Sequence, residues 1–162
     1  MNKTDEICRM LAKIQANLFE KYGDYSKCSP LVFIRRFMNS DLAKRFDNLL
    51  VLLETSSVSS MVEELDNQYG KTTFGDPDKY GREPLFWVGY LLRVWCYTYH
   101  VSSKVLISKI DLKKIVESYY IYHSFDISYA IEKIIEEQGI DFKKPKSILE
   151  LLEEFKKDCD EK

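Results

Sequence analysis

An all-α fold, a single-domain multi-helix bundle around one aromatic-rich buried helix, is what the sequence predicts, and three observations predict it. Apolar residues recur at spacings of three and four through most of the chain, the period of a helix face. Segment after segment opens on Ser or Asp and closes near Gly or a polar pair, the punctuation of helix ends. The stretch from Leu85 to Tyr97 is apolar on nearly every side, which suits a helix enclosed by others. The 162 residues are enough for one core, so residues 1–162 are read as one helical domain.

Taken in order, Ile7, Leu11, Ile14 and Leu18 define a first amphipathic outer helix, starting after Thr4 and capped at its end by Gly23. Ser29-Pro30 supplies an N-cap followed by proline at the first helical position, ahead of the core face Phe33, Ile34 and Phe37. A short helix with Leu42 and Phe46 follows Asn39-Ser40. The run Leu49-Leu50-Val51-Leu52-Leu53 has no period and is read as a buried helical segment, with a short strand as the alternative. Ser59 or Ser60 caps a helix containing Met61 and Leu65, which Gly70 closes.

Residues 70–83 hold three of the six glycines, Pro77 and several charges, and form a long exposed loop between two halves. Pro84 opens the central helix. Ser102 or Ser103 starts a short helix with Val105, Leu106 and Ile110, and Asp111 caps another with Leu112, Ile115, Val116 and Tyr119. Asp126 caps a helix through Ile127, Ala130, Ile131 and Ile134, ended by Gly139. In the last helix Ser147 and Glu150 have capping-box spacing, with Leu151, Leu152 and Phe155 behind them.

The near-balance of 24 basic against 26 acidic residues gives no overall field to draw the chain onto a polyanion. The anomaly is the aromatic share of 14%, with 11 Tyr and 9 Phe. Arg93 interrupts the longest apolar run and the opening Met1-Asn2-Lys3-Thr4-Asp5 is polar, so a cytoplasmic protein without a membrane segment is expected. Cys8, Cys28, Cys96 and Cys159 make no C-x-x-C, and only His100 and His123 accompany them, so no metal site and no cofactor are expected. Cys96 reads as a small core residue. Gly70-Lys71-Thr72 imitates the end of a phosphate-binding loop, but Leu65 stands where its first glycine belongs.

Three constellations stand out. Arg93, always charged in an apolar helix, must reach a carboxylate, an anion or water; a structural ion pair and a ligand site are both open. Trp95 to Ile110 reads as helix, tight turn and helix, the grammar of a helix-turn-helix hairpin. In a DNA-binding version Ser102, Ser103, Lys104 and Lys109 would face phosphates or base edges, although His100 replaces the usual turn glycine. The Ser-Ser-Lys start is also a place where an anion can meet free N–H groups. Tyr119 through Asp126 puts His123 and Asp126 three residues apart, suited to acid–base chemistry, or simply to a cap at Asp126 and a backbone or tyrosine contact at His123. An enzyme, or an anion- or nucleotide-binding protein, requires Arg93, Lys104, His123 and Asp126 to share a cleft. No catalytic residue is assigned, because Ser103 and Cys96 lie in no recognised nucleophile context.

Several blocks together resemble a known family. They are Phe33-Ile34-Arg35-Arg36-Phe37-Met38-Asn39-Ser40, the helix Trp87-Val88-Gly89-Tyr90-Leu91-Leu92-Arg93-Val94-Trp95, Ser102-Ser103-Lys104, and Tyr119 through Asp126 with Ala130-Ile131. From Ser29 to Ile135 the chain is similar to small bacterial proteins associated with toxin-antitoxin loci, some beside ADP-ribosyltransferase-like toxin genes. It departs from their pattern at Leu92 and Val94, where aromatics flank the arginine, and at Leu106, where tyrosine is usual. The resemblance implies an antitoxin-like protein that neutralises a partner toxin by direct contact, of bacterial or phage origin. The binding residues it implies are Tyr90, Arg93, Ser102, Ser103, Lys104, Tyr119, His123 and Asp126.

Overall fold

The computed structural model describes residues 3–53 and 57–160, with only the backbone of Leu52 and Leu53, so the expectation for those two side chains lies outside the described residues. Among the described residues there are ten α-helices and no strand. In chain order they are α1 (Lys3–Lys21), α2 (Pro30–Met38), α3 (Asp41–Asp47), α4 (Val58–Tyr69) and α5 (Arg82–Tyr99), then α6 (Ser103–Lys109), α7 (Leu112–Glu117), α8 (Tyr119–Tyr122), α9 (Ile127–Gln138) and α10 (Ile148–Asp160).

The central helix α5 is largely buried, with Leu85, Val88, Leu92, Trp95 and Cys96 on one face and Trp87, Gly89 and Arg93 on its flanks, while Phe86, Tyr90, Val94 and Tyr97 form a narrower, partly open face. Its main neighbour is α1, an amphipathic outer helix as its sequence predicts, with Glu6, Arg9, Met10 and Lys13 exposed on one face. Leu11, Ala12, Ala16, Leu18 and Phe19 of α1 are all fully buried. The two helices touch backbone to backbone at Gly89, where a Cβ would lie 2.7 Å from Ala16 Cα and 3.0 Å from the Gln15 carbonyl oxygen. Small residues at a crossing let axes approach in this way.

Below this pair, α2, α3 and α4 bury an aromatic cluster in which Phe19 meets Phe37 edge-on at 5.3 Å and Phe37 meets Phe46 at 5.5 Å. Next to them α6, which packs on α2 and α3, and then α7 and α9 contribute Leu106, Ile115, Val116, Ile131 and Ile134 to the same core. Beyond α9, Phe142 closes the end of α5 against Trp95 and Tyr99. No helix among the described residues is long and apolar enough to cross a membrane.

Most element boundaries follow from local chemistry. The hydroxyls of Ser29, Ser40 and Ser102 and the carboxylates of Asp111 and Asp126 each accept a backbone N–H in the first turn of a helix. Ser147 and Glu150 form the expected reciprocal capping box, at 3.2 and 3.4 Å. Gly139 ends α9 in the left-handed region at φ 62°, and His100 adopts the same region at φ 51° to end α5 in the place of a glycine.

Four expectations are corrected. Gly23 lies inside a 3-10 turn, Tyr22–Asp24, rather than capping α1. The apolar run beginning at Leu49 becomes a 3-10 turn, Leu50–Leu53, because Leu49 itself turns left-handed at φ 61° and breaks the α path. The cap of α4 is Ser57, with Ser60 returning the bond, rather than Ser59 or Ser60. Finally, α5 begins at Arg82 after Gly81. Proline is tolerated at its third position because first-turn N–H groups have no intrahelical partner.

The connection between α4 and α5 is largely exposed but is fastened at points along its length. The N–H of Ser29 donates to the Phe74 carbonyl at 2.9 Å, the Arg36 guanidinium donates to the Gly70 carbonyl, and Arg82 pairs with Asp24 at 2.9 Å. The last helix differs from the others. It has no buried residue, and Ile148, Leu149, Leu151, Leu152 and Phe155 are 51–76% exposed.

Candidate functional site

Arg93 is fully buried, so each of its donors needs a partner. Its Nη1 donates to Asp47 Oδ1 at 2.5 Å, its Nε to Gln15 Oε1 at 2.7 Å and its Nη2 to Ser103 Oγ at 2.8 Å. Ser103 in turn donates its hydroxyl to Asp47 Oδ1 at 2.6 Å and its N–H to Asp47 Oδ2 at 3.0 Å. Gln15 donates its amide to the Gly89 carbonyl at 3.0 Å. The rings of Phe46 and Tyr97 flank the guanidinium at 5.3 and 5.4 Å, and the Tyr97 hydroxyl donates to the Phe46 carbonyl. The network ties α1, α3, α5 and α6 together around one ion pair, with Asp47 the less buried partner. Here Arg93 forms a structural ion pair, the first of its two readings.

This arrangement engages the residues a helix-turn-helix would present. Ser103 is buried on Asp47, the Ser102 hydroxyl caps α6 at the Val105 N–H, and the Lys109 ammonium lies over the Phe142 ring at 5.1 Å. Ser102, Lys104 and Lys109 are exposed, and Lys104 stands on a helix of seven residues. His100, expected in the turn, is there.

Two open clefts lie along the seam of α1 and α5, and they share Lys13 and Tyr90. The larger, about 1000 Å³, is bordered by Arg9, Lys13, Tyr97, His100, Ser102 and Asp126. The smaller, about 430 Å³, has a floor of Phe86, Trp87, Tyr90 and Tyr119, with His123 at its edge. Among the described residues the two non-glycine positions in the left-handed region, Leu49 and His100, both border the larger cleft.

The expected binding set is therefore divided. Arg93 and Ser103 belong to the buried network. Tyr119 and His123 border the smaller cleft, where the imidazole stacks on the Tyr119 ring at 4.6 Å and its Nδ1 lies 2.9 Å from the Tyr119 carbonyl. Ser102 and Asp126 border the larger cleft, and the Asp126 carboxylate accepts the Ser128 N–H at 2.9 Å as a cap. Tyr90 borders both clefts and Lys104 neither. The four polar residues that acid–base or nucleotide chemistry would gather, Arg93, Lys104, His123 and Asp126, do not share a cavity.

Asp47 and Gln15 are the partners that sequence reading missed. Gln15 carried a signal: it occupies the apolar register between Leu11 and Phe19, where a polar side chain needs a buried partner. Asp47 carried none, being 46 residues from Arg93 and placed at a helix end.

Burial also changes the titration of the walls. It pushes the Cys96 thiol up from 9.0 to about 11, partly opposed by Arg93, and it raises the Tyr97 hydroxyl above its ordinary range. The Tyr122 hydroxyl is raised to about 12, chiefly by its bond to Glu137. A raised pKa means that the folded state keeps a proton the unfolded chain has released. The contribution of Cys96 is thus complete below pH 9 and is lost as pH climbs to 11. Urea melts at pH 7, 9 and 11 should show stability declining over the upper interval. Cys96→Ala should remove about 2 kcal/mol of that decline; an unchanged slope would reject the assignment.

Comparison of the chain with protein-family models, with curated proteins and with solved structures finds no match.

Proposed function

We propose that this protein is a non-enzymatic binding module that recognises a partner protein through an aromatic surface on α8 and α9, in the antitoxin-like manner that its sequence resemblance implies. The observation carrying this reading is the exposure of Tyr120 (75%), Ile121 (63%), Phe125 (53%) and Tyr129 (43%) within one short stretch of chain. Large apolar groups concentrated in this way mark interaction surfaces, and aromatics are enriched where proteins meet. Ring contacts make the surface nearly continuous: Trp87 meets Tyr119, Tyr119 meets Tyr120, and Phe125 meets both Tyr122 and Tyr129. By contrast, the reactive polar groups are divided among a buried network, helix caps and separate clefts, which supports a binding role over catalysis.

The product of the neighbouring gene is the partner to test. Co-expression should rescue growth and yield a stable complex. Tyr120→Ala with Phe125→Ala should weaken that complex at least tenfold while leaving the thermal melt of the free protein unchanged, since hot-spot aromatics each contribute about 2 kcal/mol or more. Absence of both complex and rescue rejects the antitoxin reading. A complex indifferent to these substitutions rejects the surface.

A further inference from the structure

The smaller cleft on the seam of α1 and α5 has aromatic walls and a charged rim. Phe86, Trp87 and Tyr90 border it from α5, and Tyr119 of α8 adds a further ring. Trp87 and Tyr119 meet at 5.9 Å with their planes 69° apart, so the walls form a corner rather than a flat patch. The face of an aromatic ring carries negative potential, and rings that meet at an angle can hold a cation between them.

Besides His123, the charged side chains at this cleft are Lys13, Glu20 and Glu83, and they are separated along it. The two helices run antiparallel: from the smaller cleft to the larger, the border passes from Glu20 back to Asp5 on α1 and from Glu83 forward to Tyr97 on α5. Lys13 and Tyr90, which border both clefts, therefore mark the end where the two meet. Glu20, seven residues and roughly 10 Å further along α1, stands with Glu83 at the other end. Among the described residues neither carboxylate is in an ion pair. The Tyr119 hydroxyl donates to Glu83 Oε2 at 3.2 Å, which holds that carboxylate beside the ring and leaves Oε1 to accept from a ligand.

We infer that this cleft receives an arginine side chain of the partner protein, with the guanidinium against the aromatic walls and its N–H groups on Glu20 and Glu83. Charge complementarity selects a cation, since the end beside Phe86 carries two carboxylates and Lys13 lies at the opposite end. Donor geometry selects guanidinium. It offers five N–H groups in a flat fork that stacks on rings and meets carboxylates two bonds at a time, whereas a lysine ammonium is a compact, strongly hydrated charge. A quaternary ammonium has no donor for either glutamate. A volume of about 430 Å³ takes the side chain with its apolar stem. The ring contact from Tyr119 to Tyr120 makes the cleft continuous with the exposed surface of α8 and α9, and arginine is enriched in such interfaces. The inference rests on the partner-binding reading for the source of the arginine, while the cleft itself is open to a test without a partner.

The test titrates the purified full chain with arginine amide and follows the indole N–H signals of Trp87 and Trp95 by NMR. The Trp87 signal should move with a dissociation constant on the order of millimolar. Trp95, fully buried and not part of the cleft wall, should stay in place. Citrulline amide, which keeps the shape without the charge, and lysine amide should each bind at least about fivefold more weakly. Glu20→Gln with Glu83→Gln should weaken arginine amide binding at least about tenfold at an unchanged thermal melt, since neither side chain is buried. A Trp87 signal that does not move overturns the inference, as does equal affinity for citrulline or lysine amide, or an affinity indifferent to the glutamines. The same glutamines should weaken the complex with the neighbouring gene's product about tenfold, and a complex indifferent to them also overturns it. If no complex forms, the partner reading fails, and the arginine amide titration decides the cleft.

Discussion

Replacing Arg93 with alanine should cost about 3–5 kcal/mol, the largest loss expected from any single substitution in this chain. The guanidinium itself contributes little net stability, since removing it from water offsets much of what the Asp47 contact returns. The loss comes from what is left behind. Asp47, 15% exposed, would keep a charge with only Ser103 to meet it, Gln15 Oε1 would lose its donor, and a cavity would open between Phe46 and Tyr97. For a domain of this length that loss corresponds to a melting point about 6–20 °C lower. Asp47→Asn should also be strongly destabilising, because it leaves the fully buried guanidinium without a counter-charge and its amide NH2 cannot accept the Ser103 N–H that Oδ2 accepts. Thermal melts of both variants decide the matter: an Arg93→Ala loss under about 1 kcal/mol would show that the network is not closed as described.

Gly89→Val is expected to be second in size, and even Gly89→Ala should destabilise. In an ordinary helix interior, alanine for glycine gains about 1 kcal/mol. At this position the new Cβ would lie 2.7 Å from Ala16 Cα, a backbone atom that no side-chain rotation can move. The two principal helices must separate, and separation also lengthens the Gln15 to Gly89 hydrogen bond, at 3.0 Å, that supports Arg93. A net loss of about 1–3 kcal/mol for alanine, and more for valine, follows from overpacking a well-filled contact. Chemical denaturation resolves a change of this size. A Gly89→Ala protein as stable as the parent would mean that α1 can shift without penalty.

The two substitutions illustrate which parts of the structure could be read from the chain. Ser29, Asp111, Asp126 and Ser147 were legible as caps because a cap is a contact within three residues and needs no tertiary information. The largely buried character of α5 was legible from composition alone. Its start was not, because Gly81 caps without a side chain and so leaves no mark in the sequence.

The site was less legible than the fold. That Arg93 needed a partner followed from its surroundings, but Asp47 and Gln15 come from helices 46 and 78 residues away, and no spacing rule connects them. The same limit applies to the aromatics. Trp87 and Trp95 lie in a helix long enough for its period to place them inside. In α8, only four residues long, no period exists, and the inward turn of Tyr122 beside the outward turn of Tyr120 is decided by packing.

The connection from Gly70 to Gly81 lies between two segments that are packed against each other along α1 and α5. To one side α1 supplies the inner wall and α3 supplies Asp47; to the other α5 supplies the surface against which both are pressed. Scission there would not divide the molecule. The two pieces would remain associated through Gln15, Asp47 and the Ala16–Gly89 crossing, each acting as the template on which the other is folded.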